Sequence, residues 1–370
     1  MQIRLFKPQI SEEAVAAAAA TLRSGWLGQG ARVAAFEDAF ARYIGAAHCV
    51  TVNSCTAALH LALEVSNLPE GTEVVTTPLT FVATHLAILH ARCRPVLADI
   101  QPTTGNMDPK SLREKITGRT RAVLVVHYAG YPCDLDEICQ VAGQFGLAVI
   151  EDCAHAAGAW YHGKKIGEST RLQCFSFGPT KSLTMGQGGA ITTNASENIA
   201  RLKRLRYLGL DRDTYERVQT ATPDRPQWRY EMKETGFRYH LSDLNAAIGL
   251  AQLPLVDRQN QRRGEIAGAY RAGLCKVPGI ELLRHEADRQ SSHYMLPVLA
   301  ERRDELVTKL ARHKIETGVH YAPNGLFPEA AYRDLPHAMR FWERTITLPM
   351  HTSLTDDDVG KVIALVREGW

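Results

Sequence analysis

One short segment, Val149-Ile-Glu-Asp-Cys-Ala-His155, indicates the fold of this chain, because two acidic residues here end a short apolar run. The run Leu147-Ala-Val-Ile150 is typical of a buried strand. Asp152 would then lie at the carboxyl end of that strand, which is where open α/β sheets bind their ligands. A buried carboxylate needs a partner. From these residues alone, the partner is either the protonated ring nitrogen of a ligand or a structural arginine.

Strands and helices alternate on both sides of this run. Helices are predicted at residues 11–24, 31–44, 56–65, 81–91 and 135–145. Strands are predicted at residues 48–52, 73–77, 95–98, 122–126, 147–150, 172–177 and 189–193. This alternation predicts an α/β fold with a mainly parallel seven-stranded sheet and helices on both faces.

The C-terminal part of the chain has a different pattern. Residues 211–235 are polar and irregular and are predicted to form a long loop, a kind that is usually functional or mobile. Beyond it, helices are predicted from Ser242 and over about 254–274, 302–313 and 356–366, with short strands at 294–299 and 345–348. We therefore expect a large domain over residues 1–245 and a smaller α+β domain over residues 246–370.

The composition is that of an ordinary globular protein, with 22% charged and 45% hydrophobic residues and a net charge of +3. This balance predicts no attraction to nucleic acid or to membranes. The eight cysteines form no CxxC pair, which argues against a zinc ribbon, and most lie in apolar runs, which favours a reducing cytoplasm. No apolar run reaches the ~20 residues of a membrane span, and no secretory signal is visible. The basic run 201–206 is interpreted as a helix with a solvated face.

Val52-Asn-Ser-Cys-Thr-Ala-Ala58 is a second segment with functional character. A strand ends here, a turn of small residues follows, and a helix begins. The free N–H groups at the start of that helix, with the hydroxyls of Ser54 and Thr56, would form a cradle for a phosphate. The alternative is an ordinary serine or threonine cap of the helix.

Phe175-Ser-Phe-Gly-Pro-Thr-Lys181, followed by Gly186-Gln-Gly-Gly189, is the third segment. Lys181 follows a strand end in a turn rich in glycine and proline, and is therefore expected at the same edge of the sheet as Asp152. Most lysines are exposed partners of carboxylates, but a lysine beside a phosphate cradle and a buried aspartate is suited to Schiff-base chemistry. No GxGxxG or GxxxxGK[ST] motif occurs between a predicted strand and a predicted helix, which argues against dinucleotide-binding and Walker-type nucleotide sites.

With these motifs, the chain resembles the DegT/DnrJ/EryC1/StrS family of sugar aminotransferases nearly from end to end. The matching motifs are Ser24-Gly-Trp-Leu27, Asn53-Ser-Cys-Thr-Ala-Ala-Leu59, Thr77-Pro-Leu-Thr-Phe-Val-Ala-Thr84, Glu151-Asp-Cys-Ala-His-Ala156, Ser176 to Lys181, Gly236-Phe-Arg-Tyr-His-Leu-Ser-Asp243 and Val319-His-Tyr-Ala-Pro323.

The resemblance implies the aspartate-aminotransferase-like fold, which is fold type I of the pyridoxal-phosphate (PLP) enzymes, and pyridoxal 5′-phosphate as the cofactor. It implies that Lys181 forms the Schiff base and that Asp152 pairs with the pyridine nitrogen. His155 would approach the phenolic oxygen of the cofactor, and Phe81 would stack on its ring. Phosphate contacts are implied for Cys55, Thr56 and Ser176.

The resemblance also implies a homodimer in which the segment 236–241 of each subunit completes the active site of its partner. Two positions depart from the pattern of the family. Cys55 replaces a common glycine, which keeps the backbone N–H for phosphate binding provided that no positive φ is needed. Arg238 replaces a common asparagine, so that either Arg238 or His240 would reach the partner's phosphate site.

The activity implied by the resemblance is transfer of an amino group from L-glutamate to a nucleotide-linked keto sugar, usually a 4-keto-6-deoxyhexose. Some members of the family are dehydratases with histidine at the lysine position, so Lys181 favours transamination. Trp26, His320 and Tyr321 are predicted sugar contacts; the alternatives are a core anchor for Trp26 and a histidine with internal hydrogen bonds for His320. Two further functions stay open, namely another PLP reaction such as aminocyclitol transamination and a non-catalytic regulator that binds PLP.

Overall fold

The computed structural model of the protein describes residues 2–169, 171–328 and 330–370. The strands are β1 His48–Val52, β2 Glu73–Thr76, β3 Arg94–Leu97, β4 Thr120–Val126, β5 Ala148–Asp152, β6 Trp160–Tyr161, β7 Lys164–Lys165, β8 Leu172–Ser176, β9 Gly189–Thr193, β10 Ile280–Leu282, β11 Arg289–Gln290, β12 Leu296–Ala300 and β13 Thr345–Leu348. The helices are α1 Glu12–Ser24, α2 Ala31–Ile44, α3 Cys55–Val65, α4 Val82–His90, α5 Pro109–Lys115, α6 Leu135–Gln144, α7 Ile199–Arg206, α8 Thr214–Gln219, α9 Asp243–Gln252, α10 Val256–Leu274, α11 Arg303–Arg312, α12 Ala330–Arg333, α13 Pro336–Arg344 and α14 Asp356–Arg367.

The large sheet has the strand order β1-β9-β8-β5-β4-β2-β3. The pairs β2/β3, β2/β4, β4/β5 and β5/β8 are parallel, and only β9 runs antiparallel to its neighbours β1 and β8. The prediction of a mainly parallel seven-stranded sheet is therefore confirmed. Because parallel strands end at the same edge, the ends of β4, β5 and β8 lie side by side, and Asp152 pairs in register with Cys174.

Apolar helices cover both faces of this sheet. On one face, Phe36 and Phe40 of α2 pack with the apolar side chains of α6 and α9. On the other face, α3 packs with α4 and α7, and nearly all of its side chains are buried. A helix with apolar residues all around is stable only when it is enclosed in this way. The burial fixes the position of the first turn of α3 at the edge of the sheet.

A second core surrounds the antiparallel sheet β10-β12-β13, which is covered by α10, α11 and α14. Ile3 belongs to this core, and it bridges to Ile315. Helix α9, by contrast, packs on α1 and α2. The division at residues 245 and 246 therefore stays a proposal, and the packing favours a boundary near 253–255, with the N-terminal segment around Ile3 added to the small domain.

Several local predictions need correction. The loop predicted over 211–235 contains the short helix α8. The basic run 201–206 lies in α7, but its interpretation as a solvated face is wrong for Arg206, which is 4% exposed and pairs with the buried Glu37 of α2. A carboxylate from a distant helix makes this burial possible, because a buried charge needs a partner. Of the helices in the described ranges, none has the length and apolar character required to span a bilayer.

Candidate active site

A cavity of about 500 Å³ opens at the carboxyl ends of β4, β5 and β8. Its size is within the usual range for a small-molecule site. Nine of the predicted site residues line it, namely Cys55, Thr56, Phe81, Asp152, His155, Ser176, Lys181, His320 and Tyr321. The remaining two, Trp26 and Arg238, do not.

Asp152 is 5% exposed and ends β5. Its carboxylate accepts hydrogen bonds from the hydroxyl of Thr84 at 2.8 Å and from the N–H of Ala154 at 3.0 Å. Burial raises the pKa of this carboxyl group. Within the described ranges, no arginine, lysine or histidine forms an ion pair with it. The structural arginine that was the alternative partner is therefore not found at Asp152.

That arginine is found at the adjacent residue. Glu151 points to the other side of β5, as successive strand residues do, and pairs with Arg171. His127 accepts the N–H of Cys133 at Nδ1, so its Nε2 donates to Glu151 at 3.1 Å. Burial opposes ionisation of Glu151, but His127 and Arg171 outweigh it and lower its pKa to about 2. Glu151 is thus a structural anion, and only Asp152 lacks a cation.

The first turn of α3 forms one wall of the cavity. Ser54 caps the helix, and its hydroxyl accepts the N–H of Ala57 at 3.2 Å. The alternative of an ordinary cap is therefore observed for Ser54. The N–H groups of Cys55 and Thr56 have no acceptor in the described ranges, and such groups at a helix N-terminus bind anions.

Cysteine at position 55 is compatible with this cradle. Cys55 has helical backbone angles and is not among the residues with positive φ. Its thiol lies 3.6 Å from the carbonyl oxygen of Cys174, inside the wall. The required glycine is instead Gly189, whose added Cβ would lie 2.5 Å from the carbonyl oxygen of Ser54. The start of β9 can therefore approach α3 only without a side chain.

Lys181 lies in the loop between β8 and β9. Its Nζ is 3.4 Å from the hydroxyl of Tyr294 and 4.4 Å from the centroid of the Tyr294 ring. In the part of the chain that the structure describes, it forms no salt bridge with a carboxylate. Lys181 is therefore not the exposed salt-bridge partner that most lysines are. Its positive charge favours the ionised form of Asp152.

His155 and two aromatic residues form the opposite part of the wall. His155 is 5% exposed, and its Nε2 is 3.2 Å from the hydroxyl of Tyr321. Burial, aided by the charge of Lys181, holds the pKa of His155 well below its usual value. Its Nδ1 has no hydrogen-bond partner in the described ranges. Phe81 is 58% exposed although it lies in a cavity, so its ring is available for stacking.

His320 borders the cavity, but its Nδ1 is 2.8 Å from the hydroxyl of Thr347. Burial, with a contribution from Lys181, lowers the pKa of His320 to about 4. A neutral imidazole with an internal hydrogen bond is therefore observed at this position.

Trp26, Arg238 and His240 lie away from the cavity of their own chain. The indole N–H of Trp26 donates to the carbonyl oxygen of Gln29 at 3.1 Å, so the anchoring alternative is observed for Trp26. Arg238 is exposed, and the ring of His240 packs against Tyr207. Within one subunit, none of the three lines the predicted cofactor site.

Sequence reasoning missed two residues of the site. Thr84 binds Asp152, and Tyr294 contacts Lys181. Thr84 stands in a quoted motif, and its position three residues after Phe81, on the first turn of α4, was a usable signal. Tyr294 stands in no motif and follows no strand end.

The donor set fits pyridoxal phosphate. The cradle of α3 suits its phosphate, the unpaired carboxylate of Asp152 suits a protonated ring nitrogen, and the imidazole of His155, which lines the cavity, suits a phenolic oxygen. The amine of Lys181 suits its aldehyde. The fold and this site define a PLP-dependent transaminase of the aspartate-aminotransferase-like type.

The chain belongs to the DegT/DnrJ/EryC1/StrS aminotransferase family, whose model matches residues 8–367. It is 40% identical over 374 residues to the spore coat polysaccharide biosynthesis protein SpsC of Bacillus subtilis, which covers 98% of this chain and 95% of that protein.

Solved structures agree over the whole length. AtS13 from Actinomadura melliaura superimposes with a TM-score of 0.92 at 39% identity, covering 100% of this chain and 99% of that one. The sugar aminotransferase CalS13 from Micromonospora echinospora gives 0.91 at 33% identity and covers 100% of both chains. Spr1654 from Streptococcus pneumoniae, solved in its PLP form, superimposes with a TM-score of 0.89 at 28% identity, covering 100% of this chain and 98% of that one. The chain is thus similar to sugar aminotransferases in sequence and in structure.

Proposed function

We propose that this sugar aminotransferase moves an amino group from L-glutamate to a nucleotide-linked keto sugar, in particular a 4-keto-6-deoxyhexose, with pyridoxal phosphate bound in the cavity. The observation that carries the proposal is the buried carboxylate of Asp152, which has no cation partner in the described ranges and lines one cavity with the amine of Lys181. The sugar aminotransferases among the similar structures support the substrate class.

Asp152 would hold the ring nitrogen of the cofactor. Thr84 and Ala154 already donate to its two oxygens and favour the ionised form, against the effect of burial. A protonated ring nitrogen would supply the cation that this carboxylate lacks. When bound, pyridoxal phosphate supplies an electron-withdrawing ring that stabilises negative charge on the neighbouring substrate carbon.

Lys181 would hold the cofactor at rest and move protons during transfer. Its Nζ would take a proton from the amino-bearing carbon of the donor, and in the second half of the reaction it would deliver a proton to the acceptor carbon that receives the amino group. A lysine serves as a base only when it loses its own proton readily. Within the described ranges, no carboxylate forms a salt bridge with Lys181.

Further residues would orient the cofactor. The N–H groups of Cys55 and Thr56, with the hydroxyl of Ser176, would bind the phosphate. His155 would contact the phenolic oxygen, and Phe81 would cover the ring. His320 and Tyr321 border the remaining space, where the sugar would bind.

The proposal includes a homodimer with shared sites, in which Arg238 or His240 of one subunit reaches the phosphate site of the other. The exposure of Arg238 and the position of its segment beside α3 support this arrangement, because the carbonyl oxygen of Arg238 accepts from Asn53 next to the cradle. A cytoplasmic location is also proposed, since all eight cysteines are free.

The test is an incubation of the purified holoenzyme with L-glutamate and a nucleotide-linked 4-keto-6-deoxyhexose. We expect 2-oxoglutarate to accumulate over many turnovers, whereas glutamate alone gives at most one equivalent per site. The proposal would be overturned if the mixture with the sugar produced no more 2-oxoglutarate than L-glutamate alone. Turnover only with a cyclitol ketone would indicate an aminocyclitol enzyme, and a yellow protein that reacts with no amino donor would indicate a regulator.

A further inference from the structure

Tyr294 is a buried tyrosine of the loop between β11 and β12 that the proposed mechanism does not use. It is 5% exposed and lines the same cavity as Lys181. Its ring lies nearly parallel to that of Phe6, at 5.5 Å and 10°, and to that of His155, at 4.5 Å and 16°. Packing of this kind holds an aromatic ring in one orientation.

The amine of Lys181 lies against this ring. The distance from Nζ to the hydroxyl oxygen of Tyr294 is 3.4 Å, and the distance to the ring centroid is 4.4 Å. The same hydroxyl is 3.2 Å from the hydroxyl of Thr180. In the part of the chain that the structure describes, Tyr294 is the sole hydrogen-bond partner of Nζ. The tyrosine oxygen can therefore accept from Lys181 while its O–H donates to Thr180.

A lysine that transfers protons needs such a partner. Its side chain has a flexible four-carbon stem, and ordering it costs conformational entropy. A hydroxyl and an aromatic face at fixed positions offset this cost through a charge-assisted hydrogen bond and a cation–π contact.

The charged and titratable groups around Lys181 and Tyr294 come from several elements. They are Lys7 of the N-terminal segment, Cys55 of α3, Asp152 of β5, His155 after it, His320 and Tyr321 before the α12 region, Arg263 of α10 and His351 after β13. Arg263 is 8% exposed and forms no salt bridge in the described ranges; burial lowers its pKa to about 10, and Tyr294 partly offsets this effect. Burial lowers the pKa of His155 well below its usual value and that of His320 to about 4.

We propose that Tyr294 is a positioning residue that holds the amine of Lys181 in place between its binding of the cofactor and its transfer of protons. The inference rests on the proposed function and deepens it, because it assigns the residue that orients the base. A purely structural role would require only the ring, whereas this role requires the hydroxyl as well.

The experiment compares holoenzymes of the wild type, Tyr294→Phe and Tyr294→Leu, with Tyr270→Phe as the matched control. Tyr270 is fully buried in the small-sheet core, and its hydroxyl has no partner in the described ranges. The Tyr270→Phe variant therefore shows the effect of removing a buried hydroxyl that lies outside the site. The readouts are the absorbance band of the lysine-bound cofactor titrated against pH, the dissociation constant of the cofactor, and kcat and KM for the amino donor.

For Tyr294→Phe we expect the band and the cofactor affinity to persist, while kcat falls at least about tenfold and KM changes less than about twofold. The apparent pKa of the band should fall by about one pH unit, because an acceptor of the protonated nitrogen is lost. Tyr294→Leu should lower it further, since the ring face is also lost. Tyr270→Phe should match the wild type in all three readouts.

The inference is overturned when Tyr294→Phe has the kcat and the band titration of the wild type, or when Tyr270→Phe shows the same losses. Failure of the proposed function gives a different result, because the wild type itself then shows no band or no reaction with any amino donor. If Tyr294→Leu does not fold, the comparison of Tyr294→Phe with Tyr270→Phe still decides the question.

Discussion

Glu151 and Asp152 are adjacent carboxylates with opposite roles, and the difference arises from the alternation of side chains along a strand. Glu151 meets Arg171 and His127 in the interior, whereas Asp152 faces the cavity and, among the residues described, binds only neutral donors. A single strand end therefore contains a stabilising ion pair on one side and a ligand-binding carboxylate on the other.

At Lys181, replacement by alanine is expected to remove the absorbance band near ~400 nm that a lysine-bound cofactor gives, and turnover with it. The physical reason is the loss of the amine that bonds the cofactor. Lys164→Ala is the control, since Lys164 is an exposed lysine outside the cavity. A variant that keeps both the band and turnover would show that another lysine is the Schiff-base residue.

At Glu151, the low pKa predicts a dependence of stability on pH. The pKa falls from 4.5 to about 2 on folding, so the ionised side chain contributes about 3 kcal/mol at neutral pH. Because the folded pKa is the lower one, this contribution is complete above pH ~4.5 and is lost as the pH falls towards 2. Denaturant unfolding at several pH values should show that Glu151→Gln is less stable than the wild type at pH 7. Its free energy of unfolding should also fall less than that of the wild type as the pH is lowered from ~4.5 towards 2. The same pH dependence in both proteins would contradict the assignment.

At the level of elements, the site is made where secondary structures end. The carboxyl end of β5 places Asp152, the N-terminus of α3 forms the cradle, and the loop from β8 to β9 holds Lys181. These ends converge because β4, β5 and β8 are parallel neighbours. The close approach of β9 to α3 completes the cradle.

Gly189→Ala tests this approach. The added Cβ would lie 2.5 Å from the carbonyl oxygen of Ser54 and 2.7 Å from the N of Cys55, so the first turn of α3 must move. We expect the dissociation constant of the cofactor to rise at least about tenfold, which corresponds to about 1.4 kcal/mol. Gly268→Ala in α10 is the control, because its Cβ meets no atom within 4 Å and should stabilise the helix by about 0.5–1 kcal/mol. Equal cofactor binding in both variants would contradict the role of Gly189.

For the whole molecule, two cores meet at the cavity. Strand β5 supplies Asp152, the loop from β8 to β9 supplies Lys181, and the chain between the small-sheet strands supplies Tyr294 and Tyr321. Trp26, Arg238 and His240 lie outside this arrangement in one subunit. A function for these three residues in the site therefore depends on a second copy of the chain.

Mixed subunits test that dependence. Chains with Lys181→Ala are co-expressed with chains that carry both Arg238→Ala and His240→Ala. Expressed separately, each of these two variants is expected to be nearly inactive. If sites are shared, a mixed dimer has one intact site, and random mixing should restore about a quarter of wild-type activity per dimer. Activity that stays at the level of the separate variants would contradict shared sites, and a monomer in sedimentation would do so directly.

The order of the strands and helices could be predicted from the sequence. Alternating apolar runs predicted the seven strands and most helices of the large sheet, although not α5, and residues at strand ends predicted Asp152, Lys181 and the α3 cradle. These signals are local, because the period of a strand or helix and its terminus are encoded within a few neighbouring residues. The resemblance to a family added roles that no local pattern provides.

Contacts between distant residues came from folding alone. Tyr294 is 113 positions from Lys181, and Glu37 is 169 positions from Arg206, so no spacing could indicate either pair. Which of two adjacent carboxylates finds a cation was likewise open, since it depends on what packs on each face of β5. The physical reason is that local sequence fixes the period and the ends of each element, whereas the partners of a buried side chain follow from how whole elements pack.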